Sequence, residues 1–222
     1  MRLAAPSFIL PAQRLENVQY LQGLVDEVQL LYFCSQQPED FPDETEVVAL
    51  AREPISYNVH LPYDRSLHSP DSWEVMGKFL HSLQPLQAST HTLHLQPEKA
   101  FFHLLEKFAA AHTAGISVEN GGNDAHLFAE AQALPVDFCV DVGHLIHHGQ
   151  EVEAVLQRYQ ERIVLLHLHG SDGQRDHQGL QRVDRGLLRL VKDFAQERGV
   201  TICLEVFQKE VLCKSIALLQ EA

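Results

Sequence analysis

Apolar residues along this chain alternate between two spacings. Short β-rich runs read RLAAPSF at 2–8, EVQLLYF at 27–33, ISYNVHL at 55–61, THTLHL at 90–95, ISVEN at 116–120, DFCVDVGHL at 137–145, RIVLLHLH at 162–169 and TICLEVF at 201–207. The intervening segments, near 14–24, 38–52, 70–84, 97–114, 123–133, 150–160, 180–198 and 208–220, carry apolar residues at steps of three and four and predict helices. Segment 97–114 is the plainest. Pro97 and Glu98 open its first turn, Phe101, Leu104, Leu105, Phe108 and Ala109 form the apolar stripe, and Gly115 closes it. Segment 180–198 follows the same grammar, with Leu187, Leu188, Val191 and Phe194 on one face and Gly199 as the stop.

Repeated strand–helix alternation predicts a parallel sheet with crossover helices, and eight units predict a closed (β/α)8 barrel of the TIM type. At 222 residues the barrel must be compact with brief loops, because this architecture usually takes about 250. The competing fold is an open doubly wound sheet with a glycine-rich phosphate turn. Gly121-Gly122 follows a strand but makes no G-x-G-x-x-G, which favours the barrel. No linker, low-complexity tract or solenoid-length repeat interrupts the pattern, so residues 1–222 are expected to form a single domain.

Charge changes the functional picture more than the structural one. Lys and Arg total 17 against 30 Asp and Glu, a formal charge of −13. That field repels a phosphate backbone, which argues against a nucleic-acid binder and for a small-molecule substrate. No stretch approaches the roughly 18 apolar residues of a membrane span, and MRLAAPSFILP is too short and proline-broken for a signal peptide, which reads as a cytoplasmic protein. The cysteines Cys34, Cys139, Cys203 and Cys213 form no C-x-x-C pair; three lie in apolar runs, and buried reduced thiols are expected.

Histidine is the residue in excess, at 14, and its placement is not random. The active site of a parallel barrel lies at the C-terminal ends of its strands. The third predicted strand ends in His60, the fourth in His94, the fifth in Glu119, the sixth in Asp141 and then His144, the seventh in His167 and His169, and the eighth in Glu205. Each interrupts an apolar run. Imidazoles and carboxylates are the ligands of zinc, manganese and iron, and a divalent cation would neutralise carboxylates brought so close together. In His167-Leu168-His169, alternation puts both rings on one side of the strand, and a polar loop with Asp172, Asp176 and His177 follows. His68, His81, His103, His112, His126, His147 and His148 are expected on solvated surfaces, and His91 too deep for the rim.

Taken in order, VHLP, LHL, VEN, VDVGH, LHLHG, RDH and LEV resemble the strand ends of the xylose isomerase-like barrels, which include endonuclease IV and sugar isomerases and epimerases. The resemblance implies core metal ligands at Glu119, Asp141, His167 and Glu205. By position, it also implies a multinuclear centre completed by His60, His94, His144 and His177. Two or three divalent ions, zinc or manganese, would be bound. Glu119, Asp141 and Glu205 would be catalytic, and His169 and Asp176 would contact substrate or brace a ligand. Within the superfamily the chain is similar to the cobamide-remodelling phosphodiesterases (CbiR-like) in its shortness and in RLAAPSFILP, YNVHLP, FCVDVGHL and HLHG with RDH after it. That implies hydrolysis of the nucleotide-loop phosphodiester of a cobamide to an α-ribazole-type nucleoside and cobinamide phosphate. The alternatives are a sugar isomerase or epimerase, and a non-catalytic corrinoid-binding protein.

Overall fold

In the computed structural model, which describes residues 1–222, β1 (Arg2–Pro6) pairs in parallel with β2 (Glu27–Leu31) on one side and with β8 (Thr201–Leu204) on the other. That second pairing closes the sheet. Around the barrel follow β3 (Ser56–His60), β4 (His91–His94), β5 (Ile116–Glu119), β6 (Asp137–Asp141) and β7 (Ile163–Leu168), all in chain order. The predicted (β/α)8 architecture is therefore present as one closed barrel.

The helices are α1 (Arg14–Leu21), α2 (Glu44–Leu50), α3 (Pro70–Leu83), α4 (Lys99–Ala111), α5 (Phe128–Ala131), α6 (Val142–His147), α7 (Val152–Tyr159), α8 (Arg185–Arg198) and α9 (Lys209–Glu221). Their apolar stripes pack on the outward positions of the strands, such as Val28, Leu30, Val118, Val140 and Ile202, to form the main core. The barrel interior is separate and small: Ala4, Cys139, Leu165 and Cys203 fill one layer. Beneath it the N-terminal end is closed by polar groups. Glu27 accepts hydrogen bonds from Asn58 and Ser89, both at 2.7 Å, and meets Arg2 at 3.1 Å.

Several sequence expectations shift. The sixth strand stops at Asp141, so Gly143, His144 and Leu145 belong to α6 and not to a strand. The cause is local: the Asp141 carboxylate accepts the His144 amide at 2.7 Å and caps the helix that starts there. Gly115 does not close α4, which ends at Ala111 with His112 extended behind it. Gly115 instead lets β5 approach its neighbour, since a Cβ there would lie 3.0 Å from the Ser89 carbonyl. Gly199 does stop α8, at φ +68°. Segments 38–52, 123–133 and 180–198 each begin with a 3-10 turn before the α-helix. Only Cys139 and Cys203 are buried; Cys34 and Cys213 are exposed. His112 and His147 are half-buried, and the remaining surface histidines are exposed as expected. His91 lies buried away from the mouth, its Nδ1 3.2 Å from the Gly115 carbonyl oxygen.

Candidate metal centre

Parallel register fixes which strand ends stand level. His94 pairs with Glu119, and Asp141 with His167, so β4 to β7 deliver imidazole and carboxylate to the mouth side by side. Glu119, Asp141, His167, His169, Glu205, His60 and His144 are all buried. All the predicted ligands therefore lie around one hollow of about 220 Å³ or in the wall directly beneath it.

The donors fall into three useful groups, within each of which the ligand atoms lie within 4.8 Å of one another. One is His60, His94 and Glu119; the second is Glu119, Asp141, His167 and Glu205; the third is His144, His169 and His177. Glu119 divides its two oxygens between the first two. Oε1 lies 2.9 Å from His167 Nδ1, while Oε2 lies 3.4 Å from His60 Nε2 and 3.7 Å from His94 Nε2. Asp141 likewise links the second group to the third, with Oδ1 at 3.3 Å from His169 Nε2 and Oδ2 at 3.3 Å from His144 Nδ1. Cys139 also approaches Glu119 and His167, but burial pushes its thiol pKa far up and leaves it a poor ligand.

These residues fit a divalent cation by a criterion independent of residue type. Glu119 Oε2, Asp141 Oδ2 and His169 Nε2 are buried and make no hydrogen bond, an arrangement that costs about 1–3 kcal/mol per group unless something else satisfies it. Glu119 lines the hollow, and the other two lie in donor groups that share or adjoin it.

Among the cluster's own side chains, electrostatics is governed by protons. Burial would raise the Glu119 pKa, but His167 and His94 outweigh it and hold the carboxylate well below its usual range. Burial works the same way on Asp141, where His169 and His144 win and bring the pKa to about 2. For His169, burial disfavours the charged ring, yet Asp141 and Glu205 raise its pKa to about 9. His167 is raised well above its ordinary value by Cys139, Glu119 and Glu205 against the same penalty. His94 goes the other way: burial dominates and pushes it down to about 4. The His169 Nδ1 environment serves either protonation state. Protonated it can donate to the Gly170 carbonyl at 3.2 Å, and deprotonated it can accept the His177 amide at 2.9 Å.

Glycines permit this crowding. A Cβ at Gly143 would land on the ring of His169, and one at Gly121 would come within 2.8 Å of His94 Nδ1. His177 itself sits at φ +49°, a left-handed conformation uncommon for a residue with a side chain. The turn carries its ring to 4.1 Å from that of His169, centroid to centroid.

His169 stands among the donors of the third group, nearer the centre than a bracing position requires. Asp176 lies at the edge, 41% exposed, with Oδ2 3.5 Å from His144 Nε2 and 4.0 Å from His177 Nε2. Two residues escaped sequence reasoning. The Gln29 amide lies 2.6 Å from His167 Nε2, and because amide oxygen and nitrogen interchange by rotation, it can accept the Nε2 proton and free Nδ1 for a metal. Its signal was a polar residue at an inward position of the second strand, two residues after Glu27. Asn120 joins β5 to β6: its side chain accepts from the Asp141 amide at 2.8 Å and donates to the Asp141 carbonyl at 3.0 Å. It was visible in VEN, but without a role.

No family model and no curated protein sequence matches the chain. Solved structures do. A D-tagatose 3-epimerase-like protein superposes with TM-score 0.78 at 16% identity, over 100% of this chain and 96% of that one. The 3-keto-D-glucoside 4-epimerase of E. coli gives 0.74 at 12% identity over 100% of both chains. A sugar phosphate isomerase/epimerase from Parabacteroides distasonis gives 0.74 at 13% identity, over 100% of this chain and 96% of that one. At such identities the likeness establishes the fold alone, a closed (β/α)8 barrel. It accords with the barrel expected from the broader resemblance; nothing in it bears on a cobamide-remodelling branch.

Proposed function

We propose that the chain is a multinuclear metal-dependent phosphodiesterase acting on a small molecule, with the nucleotide loop of a cobamide as the specific candidate. The observation that carries this reading is the divided carboxylate of Glu119, one oxygen facing His60 and His94 and the other facing His167. One ion needs only Glu119, Asp141, His167 and Glu205; the additional histidine groups on either side have no task in a mononuclear site. We assign His60, His94 and Glu119 to one ion, Glu119, Asp141, His167 and Glu205 to a second, and His144, His169 and His177 to a third, zinc or manganese.

Bound divalent ions would neutralise the nonbridging phosphate oxygens, ease deprotonation of water and stabilise the departing alkoxide. The chain's own residues do the rest. Buried strands hold the donors rigid, Gln29 sets the proton position on His167, and Asn120 fixes the backbone that carries Asp141. Asp176, exposed at the rim and 3.5 Å from His144, is placed to carry a proton between site and solvent.

The second reading is a sugar isomerase or epimerase, favoured by the described activities of the structural neighbours and by the four-residue group taken alone. One experiment separates the two. Metal-replete protein and a Glu119→Gln control are incubated with a cobamide and, in parallel, with ketohexoses. Mass spectrometry then looks for α-ribazole and cobinamide phosphate, and NMR for interconverted sugars. Wild-type-specific cleavage products support the phosphodiesterase; sugar interconversion without cleavage establishes the second reading; bound but unchanged corrinoid leaves a binding protein.

A further inference from the structure

Beyond the donors, the mouth of the barrel is two-faced. Phe8 stands two residues past β1, Phe33 two past β2, Tyr63 three past β3 and Phe207 three past β8. Closure of β8 on β1 turns these four adjacent strand ends into one arc. Phe8 and Phe33 meet at 6.0 Å and 87°, Phe33 and Tyr63 at 5.9 Å and 78°, and Phe8 and Phe207 at 6.4 Å and 69°. Edge-to-face packing sets neighbouring rings at steep angles instead of sealing them face against face. Phe8 and Tyr63, at 52% and 53%, are the most exposed large apolar side chains of the protein.

The arc is continuous with the metal centre at both ends. Tyr63 lies parallel to His94, 5.3 Å away at 11°, and Phe207 lies 5.1 Å from His177. The hollow at the donors reaches Phe33 and Tyr63, and a second cavity of about 470 Å³ opens along Phe8 and Phe207. A ligand whose reacting group reaches Glu119 has these rings beside it on the β8-to-β3 side of the mouth. A free sugar there would need a partner for each hydroxyl, and among the four side chains only Tyr63 has one to offer. Nor does the arc suit a second phosphate, since the one cation lining its cavity, Lys209, is accompanied there by Glu210.

We propose that Phe8, Phe33, Tyr63 and Phe207 form a specificity site that stacks a flat conjugated ring of nucleobase type. This rests on the phosphodiesterase reading for what the ring is attached to, namely one ester arm of the substrate. Recognition is by π-faces and so tolerates different ring systems.

Metal-loaded protein is titrated with adenosine and, separately, with ribose, and binding is followed by NMR. Adenosine should bind and ribose should not at equal concentration. Phe8→Ala should weaken adenosine roughly five- to a hundred-fold, the range of losing one stacking face. Phe8→Trp should retain binding, and the exposed Val164→Ala should leave it unchanged. Adenosine binding no tighter than ribose, or undiminished in both Phe8→Ala and Phe33→Ala, overturns the proposal. Phe8-dependent adenosine binding in a protein that cleaves no phosphodiester overturns the phosphodiesterase reading alone.

Discussion

Replacing Gly143 by alanine sets two opposed effects against each other. Gly143 is the second residue of α6 with no positive φ, so alanine would ordinarily gain at most about 1 kcal/mol in helix stability. The added methyl, however, would overlap the His169 ring, which is fully buried and hemmed by Asp141, His144 and His177. Overpacking of a rigid site costs about 1–3 kcal/mol. The ring cannot yield cheaply, so overpacking wins. The expected net loss is roughly 1 kcal/mol, or about 2–4 °C in Tm for a domain of this size. The displaced ring also leaves the third donor group. Thermal unfolding in chelator measures the first effect, and metal content after equilibrium dialysis the second. A raised Tm with undiminished metal content would refute the reasoning, because it would mean that His169 had room to move without consequence.

Glu119→Gln should lower the bound metal by more than one equivalent, whereas His60→Ala should remove only one; equal losses would mean that the carboxylate is not shared. With His169 near 9 and His167 also raised well above its ordinary value, both rings are cationic at pH 7 in the metal-free protein, so loading should expel protons and affinity should climb as pH rises toward about 9. Calorimetry in buffers of different ionisation enthalpy reads that release, and a buffer-independent heat contradicts it. Gln29→Leu should weaken metal binding about 10- to 100-fold while leaving the barrel folded, the usual effect of losing a group that orients a ligand. Unchanged affinity by competitive chelation would remove Gln29 from that role.

Periodicity was enough for the architecture. Eight alternations of strand and helix spacing admit few parallel arrangements, and the order of strands around the barrel follows from right-handed, sequential crossovers. It was also enough to nominate His60, His94, Glu119, Asp141, His167 and Glu205, because a polar residue ending an apolar strand faces the mouth wherever a barrel closes. Local chemistry beyond the period was harder to read. The sixth run looked like nine continuous strand residues, yet Asp141 carries a second function as a helix cap, and capping depends on a side-chain geometry that hydropathy does not encode.

Tertiary structure alone decided how the donors are shared. Strand register placed His94 level with Glu119 and Asp141 level with His167, which splits the Glu119 oxygens between two groups and sends His169 to join His144 and His177. Gln29 lies 138 positions from His167 in sequence and 2.6 Å from it in space. The aromatic arc exists only because β8 closes against β1, bringing Phe207 to Phe8 across nearly the whole chain. The sequence sets which way each side chain faces through the period of its own strand. Which side chains meet depends on the offset between strands, and that offset arises from closing the whole ring.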